Sequence, residues 1–223
     1  MKWIYININE LTDNQYESFT KFVSKERRQR LKRYKYIDDA KRSLLAALLV
    51  RAELVQQLQC TNDELLFAKN DYGKPICLNQ EDAHFNVAHS GDYVVAAFSK
   101  KPIGIDIEKH KEINVLNFHS VLNEWEYQEI CRSNHPIATF YKFWTAKESY
   151  TKALGIGLTY PVKDIRVLSN GAVEKSHLLT PWHISQYFSE TYTASICMKD
   201  KYENKKGKGI SIQNLKAFLE GNE

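Results

Sequence analysis

The sequence has no CxxC pair: Cys60, Cys77, Cys131 and Cys197 lie far apart in its 223 residues. That spacing argues against a zinc ribbon, a redox dithiol motif or a secreted disulfide framework, and it fits a reduced, cytoplasmic setting. Long hydrophobic runs are also missing. The longest, Leu44 to Val50, is far shorter than the about 20 residues a bilayer-spanning helix needs, so no membrane partner is expected. The seven histidines form no HExxH and no paired spacing, which argues against zinc chemistry. Charge is not in large excess, and a formal +4 is too small to demand a nucleic-acid partner. Met1 to Glu10 alternates apolar and polar residues and reads as a strand rather than a signal peptide.

What is present suffices for a core. The apolar share is 43%, and the length suits one large domain or two intimate halves. Thr12 with Gln15 forms a capping box and Leu11 with Tyr16 a staple, which predicts a helix over about 13–23. Ser24 can cap a second, short helix carrying most of a basic cluster, Lys25 to Lys35, with seven bases and one acid. Arg27 and Arg30 share a face there. Asp38 or Asp39 can open a long helix to about Leu58, with Leu44, Leu48 and Val55 on its apolar face. From Leu65 to Glu108 turn signals separate short stretches suited to antiparallel meander strands. Asn123 with Glu126 caps a further helix, and Pro136 begins one reaching about Leu154, ended by Gly155-Ile156-Gly157. Strands return after Ser169-Asn170-Gly171, at Trp182 to Tyr187 and Tyr192 to Met198. Helices then strands, twice over, predict an α+β fold of two comparable halves. The lysine cluster from Lys199 to Lys208 reads as a solvated connector.

In Ile103-Gly104-Ile105-Asp106-Ile107-Glu108 the isoleucines hold one parity, so a strand would project Asp106 and Glu108 from the same face. Alone, such a motif is more often an ordinary half-wet strand than half a metal site. Glu148 and Lys152 stand one turn apart on a helix that also carries Phe140, Phe143, Trp144 and Tyr150. An exposed pair of that kind is ordinary, whereas a buried one needs a further reason, such as a metal and a phosphate. Three carboxylates without thiolate or imidazole suit magnesium. Phe85-Asn86-Val87-Ala88-His89-Ser90-Gly91 is a strand entering a small-residue turn that could meet an anion, although a lone histidine there is more often a structural hydrogen-bonder.

Taken together, these motifs resemble the 4'-phosphopantetheinyl transferases of the Sfp type. The resemblance covers about residues 1 to 198. It rests on Gly104-Ile105-Asp106-Ile107-Glu108, Trp144-x-x-Lys147-Glu148-Ser149-x-x-Lys152 with Gly155 and Gly157, Phe85-Asn86 leading to His89-Ser90, and Tyr72-Gly73-Lys74-Pro75. It implies two similar α+β halves about a pseudo-twofold axis, antiparallel sheets packed with helices, and an active site in the cleft between them. The expected division is 1–104 and 105–198, followed by a basic connector and short helix over 199–223. The resemblance further implies Asp106, Glu108 and Glu148 as magnesium ligands and Lys152 on the pyrophosphate of coenzyme A. Gly73, Lys74 and Pro75 would lie along the adenine. Arg27, Arg30, Arg42 and His89 would meet phosphates, with Ser43 and Ser90 as further contacts. Many relatives have serine where this chain has Ala88, so one phosphate donor is lost, and a weaker grip on coenzyme A is expected.

The implied reaction moves 4'-phosphopantetheine from coenzyme A to a serine of an acyl or peptidyl carrier protein, in a monomeric enzyme. Glu148 is the first candidate for the base, directly or through a metal-bound water. Two alternatives stay open: a coenzyme A-binding protein without catalysis, and a nucleic-acid-binding protein built on Lys25 to Lys35 with Tyr34 and Tyr36 stacking. The second leaves the acidic trio unexplained. Apolar residues between Ile113 and Trp125 and the segment after Gly155 are candidate carrier surfaces.

Overall fold

The computed structural model describes residues 1–80, 82–157, 161–199 and 206–221. The chain begins with strand β1 (Lys2–Asn7), then helices α1 (Asp13–Thr20), α2 (Lys25–Leu31) and α3 (Ile37–Leu58). Strands β2 (Phe67–Lys69), β3 (Pro75–Cys77), β4 (His84–Ser90), β5 (Tyr93–Ser99) and β6 (Ile103–Lys109) follow. Next come α4 (Glu124–Arg132), α5 (Pro136–Leu154), β7 (Ile165–Val167), β8 (Ala172–Lys175), β9 (Leu178–Phe188) and β10 (Tyr192–Lys199). The described chain closes with β11 (Lys208–Gly209) and α6 (Ile212–Glu220).

Local chemistry explains most of the helix starts. Thr12 and Gln15 make the reciprocal capping box of α1, Ser24 caps α2, and Asn123 with Glu126 caps α4, each satisfying orphan N–H groups. Pro136 stands at the first turn of α5, and Gly155, with φ +73°, ends it in the left-handed region that a Cβ would strain. Two expectations need correction. Helix α1 stops at Thr20, short of residue 23. Asp38 and Asp39 lie inside the first turn of α3, whose N-cap is Tyr36 with no side-chain cap bond; there they favour the positive end of the helix dipole instead.

The sheets show the two-half architecture. One has the order β11-β1-β5-β4 and the other β6-β10-β9-β8-β7, with β2-β3 as a separate hairpin. The meander expected over 65–108 is therefore broken: β4 pairs β5, but β6 leaves for the second sheet and pairs antiparallel with β10. Alternating side chains make the layers. From β5, Val94, Ala96 and Phe98 join Leu44, Leu45, Leu48 and Leu49 of α3 in one core. Val95 and Ala97 face the other way and meet Ile103, Ile105, Ile107, Ala194 and Ile196 between the sheets. Beyond the second sheet, Ala146, Tyr150 and Ala153 of α5 pack with Trp182, Ile184 and Cys197. The order of layers is thus α3, sheet, sheet, α5. Both faces of β6 are covered, so Asp106 is directed at α5 rather than at solvent.

The C-terminal segment returns to the first half. β11 runs parallel to β1, and Ile212, Leu215 and Leu219 of α6 enter the core around α3. The connector expected before it lies largely outside the described residues.

Candidate active site

Gly104 sets the approach of α5 to β6. A Cβ there would stand 2.0 Å from the Ser149 carbonyl oxygen and 2.4 Å from the Ala153 nitrogen, so only glycine lets this backbone pass. The close approach brings Lys152 onto Asp106, with Nζ donating to Oδ1 at 2.6 Å. On the adjoining edge, Ser90 Oγ donates to Glu108 Oε2 at 2.7 Å and accepts from Lys109 N at 3.0 Å. Asn86, which the sequence reading used only as a motif residue, locks β4 to β6 by accepting from Ile105 N at 2.8 Å.

Among the described residues three buried carboxylate oxygens lack a hydrogen-bond partner; Asp106 Oδ2 and Glu148 Oε1 lie together here, and the third, Glu126 Oε1, lies apart behind α5. Burial pushes the Asp106 carboxyl upward, against the pull of Lys152. Glu148 rises to about 7, mainly by burial; Lys152 opposes the rise, while Asp106 and Glu108 add to it. The three acids thus feel one another across a poorly solvated space. Among the described residues, no three His, Cys, Asp or Glu side chains form a preassembled metal cluster. Lys152 and Ser90 take one oxygen each of Asp106 and Glu108.

The basic candidates divide into three groups. Arg42 donates to Gly91 O and to Asp39 Oδ1, both at 2.7 Å, bracing the β4–β5 turn. His89 keeps part of its surface open to solvent, while the protein packed around its ring first, and the Arg42 and Lys152 charges next, hold it below its ordinary value. Arg27 donates to Ser43 O at 3.3 Å and Arg30 to Ser43 Oγ at 3.4 Å, which joins α2 to α3. Gly73, Lys74 and Pro75 lie at the β2–β3 turn, where Lys74 Nζ is engaged by Ile103 O at 3.0 Å and Lys152 O at 2.7 Å. Ala88 packs into the apolar layer between the sheets.

Behind α5, Lys147 and Glu126 form a buried pair at 2.7 Å, 1% and 0% exposed. Lys147 Nζ also donates to Val121 O at 3.0 Å and Val162 O at 2.8 Å. Sequence reasoning missed this partner, since nothing local marks Glu126 beyond its capping role. Tyr192 and Lys109, both bonded to Asp92, were likewise unmarked.

The comparisons agree with this architecture. A family model described as "4'-phosphopantetheinyl transferase, N-terminal" matches residues 10–101, and "4'-phosphopantetheinyl transferase superfamily" matches 102–198. The chain is 40% identical over 164 residues to 4'-phosphopantetheinyl transferase gsp of Aneurinibacillus migulanus, covering 73% of this chain and 68% of that one. It is 34% identical over 194 residues to 4'-phosphopantetheinyl transferase Sfp of Bacillus subtilis (strain 168), covering 84% and 87%. A more distant similarity, 31% over 159 residues, reaches the L-aminoadipate-semialdehyde dehydrogenase-phosphopantetheinyl transferase of Xenopus laevis, covering 64% and 53%. With both halves matched and these identities sustained over most of its length, the chain belongs to the 4'-phosphopantetheinyl transferase superfamily.

Proposed function

We propose that the cleft around Asp106, Glu108, Glu148 and Lys152 transfers 4'-phosphopantetheine from coenzyme A to a serine of an acyl or peptidyl carrier protein. The observation that carries the site assignment is the pair of buried carboxylate oxygens without partners, Asp106 Oδ2 and Glu148 Oε1, beside an ammonium at 2.6 Å from Asp106. Buried acceptors of this kind are costly unless something binds them. A hard divalent cation fits such oxygen donors. Asp106, Glu108 and Glu148 would hold it, and once bound it would neutralise charge on the substrate phosphates.

In the reaction, the serine oxygen forms a bond to the β-phosphorus of coenzyme A. The bond from that phosphorus to the bridging oxygen breaks, and adenosine 3',5'-bisphosphate leaves. Lys152 stabilises charge on the pyrophosphate oxygens. Glu148, lifted to about 7 with no divalent cation beside it, is the carboxylate of the site that takes the serine proton. Arg42, Arg27 and Arg30 supply positive charge for the remaining phosphates, with His89 and Ser43 beside them as neutral hydrogen-bonding contacts. The adenine lies along the backbone of Gly73 to Pro75. Ser90 acts here by holding Glu108 rather than by reaching the ligand. We take 1–104 and 105–198 as the two halves that form the cleft, in a cytoplasmic monomer. Among the described residues no helix is long and apolar enough to cross a membrane.

The test incubates the protein with coenzyme A, magnesium and an apo carrier protein, and weighs the carrier by mass spectrometry. A gain of one phosphopantetheinyl group is expected. No gain with several carriers, under conditions where coenzyme A binds, would favour a binding protein without catalysis.

A further inference from the structure

The β2–β3 turn reaches across to the other half. Asn70 organises it: its Oδ1 accepts from Tyr72 N at 3.0 Å and Lys74 N at 2.8 Å, and its Nδ2 donates to Gly155 O at 2.9 Å. Lys74 completes the crossing by donating to Lys152 O at 2.7 Å and Ile103 O at 3.0 Å. The Lys152 carbonyl lies in the last turn of α5, where carbonyls lack intrahelical partners, and a cation is favoured at that negative end of the helix dipole. Burial lowers Lys74 to about 8, and the two carbonyls are the hydrogen-bond acceptors that receive its buried ammonium.

The connections close a ring. Lys74 joins the first residue of β6 to the last turn of α5. Three residues along β6 stands Asp106, and the α5 residue whose carbonyl Lys74 grips is Lys152, whose own Nζ holds Asp106 at 2.6 Å. A side chain from the first half thereby fixes the separation of the two elements that carry the reacting groups of the second. Two of the three N–H groups of the Lys74 ammonium are held by main-chain carbonyls, which fixes where the ammonium sits and leaves it a single further donor.

We propose that Lys74, oriented by Asn70, is a positioning residue for transfer: it clamps the C-terminal end of α5 to β6 so that Lys152 stays registered on Asp106. This rests on the reading of the cleft given above. It assigns Lys74 a role in turnover rather than in coenzyme A affinity. Displacing catalytic groups by fractions of an ångström to 1 Å lowers rates by up to about 100-fold while leaving distant binding contacts in place.

The experiment measures kcat with apo carrier protein, Kd for coenzyme A by calorimetry, and thermal unfolding for wild type, Lys74→Met and Lys74→Arg. The clamp predicts that Lys74→Met lowers kcat at least about tenfold while Kd stays within about threefold, and that Lys74→Arg recovers part of the loss. Unchanged kcat overturns the proposal, and so does a Kd weakened beyond that range, which would make Lys74 a ligand contact. If Lys74→Met does not fold, Lys74→Gln, which keeps donors, is judged by the same criteria. A Lys152→Met variant run alongside separates the two claims. Full turnover there sinks the cleft reading itself, whereas its loss beside an unaffected Lys74→Met sinks only the clamp.

Discussion

Gly104→Ala is the most informative single methyl group that can be added to this protein. Its Cβ would lie 2.0 Å from Ser149 O and 2.4 Å from Ala153 N, against about 3.5–4.0 Å for unstrained contact. Both obstacles are main-chain atoms of α5, so no rotamer change relieves them. The helix must move away from β6 by more than about 1 Å. Overpacking commonly costs about 1–3 kcal/mol, and a double clash with backbone belongs at the upper end. For a chain of this size about 3 kcal/mol corresponds to a Tm lowered by roughly 6–12 °C. The same shift pulls Lys152 from Asp106, so turnover should fall by about 100-fold. Differential scanning calorimetry and a carrier-loading assay check both. A variant with unchanged Tm and full turnover would show that the β6–α5 spacing does not set the site.

Three further outcomes follow from buried groups. Lys147→Met strands the Glu126 carboxylate in the core, which should cost about 3–5 kcal/mol in denaturant unfolding; an unchanged midpoint would mean the pair is dispensable. Asn86→Ala leaves the Ile105 N–H unpaired inside the sheet contact and should cost about 1–3 kcal/mol in denaturant unfolding, and an unchanged midpoint would mean that this bond is dispensable. Glu148 titrates near 7 in the fold against an ordinary 4.5, so the folded protein retains a proton that the unfolded chain has released. Without metal, its contribution is therefore most favourable below about pH 4.5 and is lost as pH rises towards 7, by up to ~3 kcal/mol. The stability of the metal-free wild type relative to Glu148→Gln should decline across that window, and a constant difference between the two would contradict the assignment.

Much of the helix framework was legible because caps are local. Thr12, Ser24 and Asn123 each sit beside the N–H groups they satisfy, and Gly155 marks an end that geometry requires. The parity of Ile103, Ile105 and Ile107 against Gly104 and Asp106 was also readable. What parity could not show is that the second face is buried as well, since α5 supplies that cover from about fifty residues away in sequence. The turn at Ser99 to Pro102 looks like a hairpin locally, yet β6 pairs with β10, a non-local choice made by the apolar layer between the sheets. Lys74 gave no local sign of its carbonyl partners at 103 and 152, which come together only in the fold. Ser90 likewise gave no local sign that Glu108 would claim its hydroxyl.

The central claim is that Asp106 and Glu148 form the reacting centre of a phosphopantetheinyl transferase. Its most direct test is the mass of an apo carrier protein after incubation with coenzyme A, magnesium and either wild type or the folded Asp106→Ala and Glu148→Gln variants. The account predicts one added phosphopantetheinyl group with wild type and none with either variant. Loading by either variant at the wild-type rate would contradict it.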